Sequence, residues 1–156
     1  MKFSFLVFGR SKFSFVDSGL AHYLEQIGHL ADFAELLVLK DQGSDQKKEM
    51  EFLLAFLQKK KFLEDGKTRV FLLDERGKLA TSREFAASLG ALRDGGVQRF
   101  VFVIGGAYGF PPALRTRFPL ISLSKLTFPH DLARLILAEQ VYRALHILKG
   151  GAYHHE

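Results

Sequence analysis

Residues 101–112 read V-F-V-I-G-G-A-Y-G-F-P-P. A β-branched and aromatic run, Val101 to Ile104, stops at Gly105-Gly106; Gly109, Pro111 and Pro112 follow. A second short apolar run, P-L-I-S-L-S-K-L-T-F-P, fills 119–129, and all four prolines of the chain lie between 111 and 129. Glycines permit positive φ and close backbone approach, whereas prolines fix φ at about −65°. A strand, a glycine loop, a proline-bounded loop and a long helix in succession predict a ligand pocket built largely of backbone.

Outward from this stretch, strands are expected at Lys2–Phe8, Ala34–Lys40, Thr68–Asp74, Arg99–Ile104 and Leu120–Leu123, each rich in Phe, Val, Leu or Ile. Helical spacing lies between them. Leu20, Tyr23, Leu24 and Ile27 recur at i, i+3, i+4 and i+7 within Ser18–Ile27. Met50, Leu53, Leu54 and Leu57 share a face within Asp45–Phe62, as do Phe85, Ala86 and Leu89 within Ser82–Arg93. Alternating strands and helices predict an α/β fold with a parallel sheet covered on both faces. Near-continuous apolar strands such as Phe100–Ile104 fit burial from both sides.

The last helix, Asp131–Lys149, carries Leu132, Leu135, Ile136 and Leu145 on one face. Leu137, Val141 and Leu148 widen that face beyond a single stripe, so a partner subunit is the expected cover. Gly150-Gly151 supplies a stop.

The 156 residues fit one domain, 1–156, and 47% hydrophobic content with 16 Phe supplies a core. No run reaches the roughly 18 apolar residues of a membrane span. The opening M-K-F-S-F-L-V-F-G lacks a signal peptide's length and cleavage site and is expected to be the first strand. The absence of cysteine excludes disulfides, thiolate metal ligands and a Cys nucleophile; a cytoplasmic location is expected. A net charge of +5 favours polyanionic partners without deciding between nucleic acid and a small anion.

G-G-A-Y-G at 105–109 is neither the dinucleotide fingerprint nor a P-loop. It is a tight strand exit or, since ligands of open α/β sheets sit beyond strand carboxyl ends, one wall of a site. L-S-K-L-T-F-P-H at 123–130 either caps the last helix or holds a polar ligand on free amides. His130, at the helix start where the dipole disfavours imidazolium, is structural or a base. Glu139 and Arg143 are spaced for an intrahelical salt bridge. Lys59 to Lys61 with Lys47 and Lys48 form a solvated face or an RNA-contacting patch, and Tyr153 to Glu156 could be a plain polar end.

Read together, F-V-I-G-G at 102–106, L-S-K-L-T-F-P-H at 123–130, A-E-Q-V-Y-R-A at 138–144 and A-Y-H at 152–154 resemble the ribosomal large subunit methyltransferase H family of SPOUT-class enzymes. The resemblance extends over the whole chain, including L-D-E-R-G-K at 73–78, expected to form a turn. It implies a C-terminal trefoil knot, S-adenosyl-L-methionine as cofactor, and methylation of N3 of a pseudouridine in 23S ribosomal RNA on the assembled 70S ribosome. It assigns the cofactor to Leu73, Gly105, Leu123, Ser124, Lys125, Leu126, Thr127 and Phe128, with no metal. One departure stands out: Ala107-Tyr108 replaces the small or polar pair usual in the family.

Under that reading His130, and less directly Glu139, are candidate bases, while Arg143, Tyr153 and His154 grip RNA. Arg143 is also a candidate at the catalytic centre. A homodimer would present a composite surface, cofactor on one subunit and RNA grip on the other. The competing reading is a non-catalytic ribosome- or RNA-binding module that keeps the fold.

Overall fold

The computed structural model describes residues 1–43, 45–151 and 153. Five strands alternate with five helices: β1 Lys2–Phe8, α1 Ser14–Leu30, β2 Phe33–Leu39, α2 Gln46–Lys59, β3 Thr68–Leu79, α3 Ser82–Asp94, β4 Arg99–Ile104, α4 Pro112–Arg117, β5 Leu120–Ser122 and α5 His130–Leu148. The strands form one sheet in the order β2-β1-β4-β3-β5, and every neighbouring pair is parallel.

Side chains of β1 and β4 alternate between two cores. Phe3, Phe5 and Val7 face one side together with Phe100, Phe102 and Ile104, against α1, α3 and α5. Leu6, Phe8, Val101 and Val103 face the other, against Leu53 and Leu57 of α2 and Leu114 of α4. Phe102 anchors the first core, with ring centroids of Phe71 at 5.5 Å, Phe5 at 5.8 Å, Phe85 at 6.2 Å and Phe3 at 6.5 Å. Strands apolar on both sides are what a sheet sandwiched between helix layers requires.

Four expectations need correction. α1 begins at Ser14 rather than Ser18, so the segment after β1 is short. The proline-bounded loop contains a helix, α4, because Pro112 occupies a first-turn position where its missing N–H costs nothing. L-D-E-R-G-K is no simple turn: β3 runs on to Leu79, and Leu73 and Lys78 both pair with Ile121 of β5, leaving 74–77 as an excursion between them. Finally, α5 packs against both α1 and α3 as well as the sheet, which buries Leu137, Ala138, Val141, Ala144 and Leu145 within one chain. Most of its apolar breadth is therefore covered within the chain, with the half-buried Leu135, Tyr142, Ile147 and Leu148 packed on the same core, while the half-buried Leu132 and Ile136 belong to neither core.

The seat of β5 is tight. A side-chain carbon on Gly77 would lie 2.5 Å from the Ile121 carbonyl carbon and 2.7 Å from its nitrogen. Backbone cannot yield as a flexible side chain can, so Gly77→Ala should destabilise the protein by about 1–3 kcal/mol. Thermal unfolding checks this, with a fall of roughly 2–4 °C per kcal/mol for a chain of this size; an unchanged melting temperature would contradict it.

Candidate active site

The carboxyl ends of β4 and β5 and the middle of β3, where its pairing with β4 stops at Leu73, meet around a cleft of about 610 Å³. Three segments line it: Leu73 to Arg76, Ile104 to Gly109, and a third run from Ser122 into the first turn of α5. This is the end of the sheet at which open α/β folds bind ligands, and the volume lies within the range of small-molecule sites.

Each wall has its own support. Asp74, nearly buried, accepts from the Arg76 backbone amide at 2.9 Å and so shapes the excursion. Thr127 Oγ1 donates to Glu75 Oε2 at 3.1 Å, tying that excursion to the third wall. In the third wall the Leu126 amide donates to Ser124 Oγ at 2.9 Å, and Ser122 Oγ donates to the Ser124 carbonyl at 2.9 Å. The glycines of the middle wall answer to the protein. A side chain at Gly105 would press on the Phe110 ring at 3.2 Å, one at Gly106 would overlap the Glu49 carboxylate, and Gly109 has φ +66°.

Of the expected cofactor residues, Leu73, Gly105, Leu123, Ser124, Leu126, Thr127 and Phe128 line the cleft, and His130 joins them. Lys125 is exposed and does not. Asp74, Glu75 and Arg76 also line it, and their polar run within a strand gave the sequence no signal beyond the family resemblance. Tyr108 is 73% exposed at the rim, so the Ala107-Tyr108 departure leaves the cleft open.

A buried ion pair fixes the first turn of α5 beneath the cleft. Asp131 and Arg134 are 3% and 2% exposed, with Arg134 Nη2 3.2 Å from Asp131 Oδ1. Arg134 Nη1 donates to the Gly9 carbonyl at 3.3 Å, linking α5 to the end of β1. Burial pulls the Arg134 guanidinium below its ordinary pKa, and the charges of Asp131 and Asp17 oppose that.

Glu139, Arg143 and Tyr153 lie elsewhere. At 1.5 Å per residue, Glu139 and Arg143 stand roughly 13 and 20 Å along α5 from His130. They form one cluster: Arg143 Nε donates to Glu139 Oε1 at 3.0 Å, the Tyr153 hydroxyl donates to the same oxygen at 3.3 Å, and the Arg143 guanidinium sits 4.8 Å from the Tyr153 ring centre. Tyr142 and His146 pack on Tyr153. Burial, and then its hydrogen bond with Tyr23, push the Tyr153 phenol above its ordinary pKa. His154 lies outside the described residues.

Residues 1–154 match the family described as "Predicted SPOUT methyltransferase". The chain is 41% identical to the ribosomal RNA large subunit methyltransferase H of Geotalea daltonii, over 99% of this chain and all of that protein. It is also 41% identical to that of Phocaeicola vulgatus, over the whole of both. The chain belongs to the ribosomal RNA large subunit methyltransferase H family of SPOUT methyltransferases. Solved structures agree on the fold. One, from a study of 2-OH methylation of C/U34 on tRNA, superposes with a TM-score of 0.56 over 92% of this chain and 91% of that one at 17% identity. A probable methylase family protein from Haemophilus influenzae gives 0.53 over 95% and 66%, at 10% identity. Among the described residues no helix is long and apolar enough to cross a membrane, and no group of three or more His, Asp or Glu could hold a metal ion.

The ion pair yields a stability prediction. Asp131→Ala strands a buried guanidinium and should cost about 3–5 kcal/mol, whereas replacing both partners by apolar residues of similar volume should cost far less. Urea unfolding of Asp131→Ala and of Asp131→Leu/Arg134→Met measures the contrast. A single variant within about 1 kcal/mol of the unaltered chain would contradict the role given to the pair.

Proposed function

We propose that this protein is an S-adenosylmethionine-dependent methyltransferase of large-subunit ribosomal RNA, acting in the cytoplasm as a homodimer on N3 of a pseudouridine in the assembled ribosome. The observation that carries the reading is the coincidence of two things. Full-length relatives bear the name ribosomal RNA large subunit methyltransferase H, and three of the five segments that carry the resemblance, 73–78, 102–106 and 123–130, converge on one cleft of ligand size.

The cleft suits this cofactor. Leu73, Ile104, Leu123 and Phe128 offer apolar surface to an adenine ring, and the 105–109 and 123–128 backbones offer amides and carbonyls to its edge. Asp74 and Glu75 line the cleft as well, each paired with Arg76, at 3.4 and 3.7 Å. When bound, the cofactor supplies a methyl group activated on a sulfonium sulfur. The chain's part is alignment and exclusion of water, which can account for much of a barrier reduction. His130 lines the cleft with its ring one-third exposed, which makes its imidazole the candidate base for the proton lost from N3.

The Arg143–Tyr153 cluster is too far along α5 to serve the cleft of its own chain. A second copy packed on the outer Leu132/Ile136 stripe would bring its cluster to that cleft, with guanidinium and aromatic ring presented to phosphate and base. The net charge of +5 suits binding dominated by phosphate. The close seating of β5 against both ends of the 74–77 excursion supports the knotted threading that the resemblance implies.

Isothermal titration should show micromolar S-adenosylmethionine binding by the unaltered chain; no binding would overturn the enzyme reading in favour of a non-catalytic RNA-binding module. Arg143→Ala should leave cofactor affinity within about twofold while slowing methylation of ribosomes roughly five- to hundredfold, the worth of one stacking or phosphate contact. Methylation at the unaltered rate would remove the cluster from the RNA grip.

A further inference from the structure

The middle wall of the cleft is held from behind by a helix that does not line it. The buried face of α2 comprises Leu53 and Leu57, continued one turn toward its start by Glu49. Glu49 is 7% exposed, although Glu is rarely buried without a partner. Its carboxylate packs against Gly106, where a side-chain carbon would overlap Oε1. One turn earlier, Gln46 Nε2 donates to the Tyr108 carbonyl at 2.6 Å and lies 3.4 Å from the Gly109 carbonyl. Two side chains three residues apart on one helix thus engage the glycine loop, Glu49 by packing its carboxylate against Gly106 and Gln46 by donating to the loop carbonyls.

The fit is close on both sides. A side chain at Gly106 would overlap the Glu49 carboxylate, so glycine at 106 is explained by Glu49. Burial pushes the Glu49 carboxyl above its ordinary pKa, with the Gly106 amide opposing the rise and the nearby Asp41 and Asp45 adding to it. An acid kept there at that cost is held by what it positions. Neither Gln46 nor Glu49 lines the cleft.

We infer that Gln46 and Glu49 are positioning residues that set the 105–109 loop in the shape that receives the cofactor. The inference rests on the reading of this cleft as the S-adenosylmethionine site. The two residues act through backbone, so they govern the alignment of loop amides and carbonyls without touching ligand. Because what meets Gly106 is the bulk and the oxygen at the end of the side chain, glutamine at 49, of the same shape without the charge, can do the work of glutamate.

The test titrates S-adenosylmethionine into the unaltered chain and into Glu49→Ala, Glu49→Gln and Gln46→Ala, with the melting temperature of each measured without ligand. Glu49→Ala and Gln46→Ala should each weaken binding roughly tenfold, and Glu49→Gln should restore affinity to within about threefold of the unaltered chain. Gln46 lies near the surface, so its variant should melt within about two degrees of the unaltered chain and separate positioning from stability. Steady-state kinetics should place the loss mainly in KM for the cofactor. Equal affinity in all four folded proteins would overturn the clamp, and so would a Glu49→Gln variant as weak as Glu49→Ala. Failure of the unaltered chain itself to bind would instead overturn the cofactor reading beneath it.

Discussion

β5 is pressed against β3 on both sides of a four-residue excursion, with Ile121 paired to Leu73 before it and to Lys78 after it. Gly77 has no space for a side chain because the Ile121 backbone occupies it. This one steric constraint places 74–77 on one flank of the cleft and launches the 122–130 segment on the other. Thr127 then reaches back across to Glu75. The cleft therefore depends on a backbone-to-backbone approach more than on any single lining residue.

Two further devices hold the remaining walls. The Asp131–Arg134 pair ties the start of α5 to the end of β1 from within the core. Gln46 and Glu49 hold the glycine loop from α2. Each joins a loop to a helix with polar groups in buried or half-buried surroundings, where a satisfied partner matters most. The phenylalanine stack around Phe102 supplies the rigid platform on which these loops stand.

Much of this was legible in the sequence. β1 and β4 fall where their near-continuous apolar runs place them, as burial on both faces requires. The glycine and proline loops also marked the site. Other features carried weaker signals. D-E-R-G-K is too polar to announce a strand, and its place follows from β5, a long-range partner. Pro111-Pro112 reads as loop until the second proline is seen as a helix start. The breadth of α5 suggested a partner subunit, yet α1 and α3 provide cover that no local pattern reveals. Glu49 passed as one more charge on a charged helix, because only the fold brings Gly106 to it. Spacing along α5 alone sets Glu139 and Arg143 roughly 13 and 20 Å from His130, too far to share its cleft.

The central claim is that the three segments at the carboxyl ends of β4 and β5 and the middle of β3 form the cofactor site. Backbone amide chemical shifts recorded with and without S-adenosylmethionine test it most directly. The account predicts that the largest changes fall in 73–76, 104–109 and 122–130, with the Gly106 amide among them and the Glu139–Arg143 segment nearly still. Changes centred on the Arg143–Tyr153 cluster, or spread along α2 and β2 with the glycine loop unmoved, would contradict it.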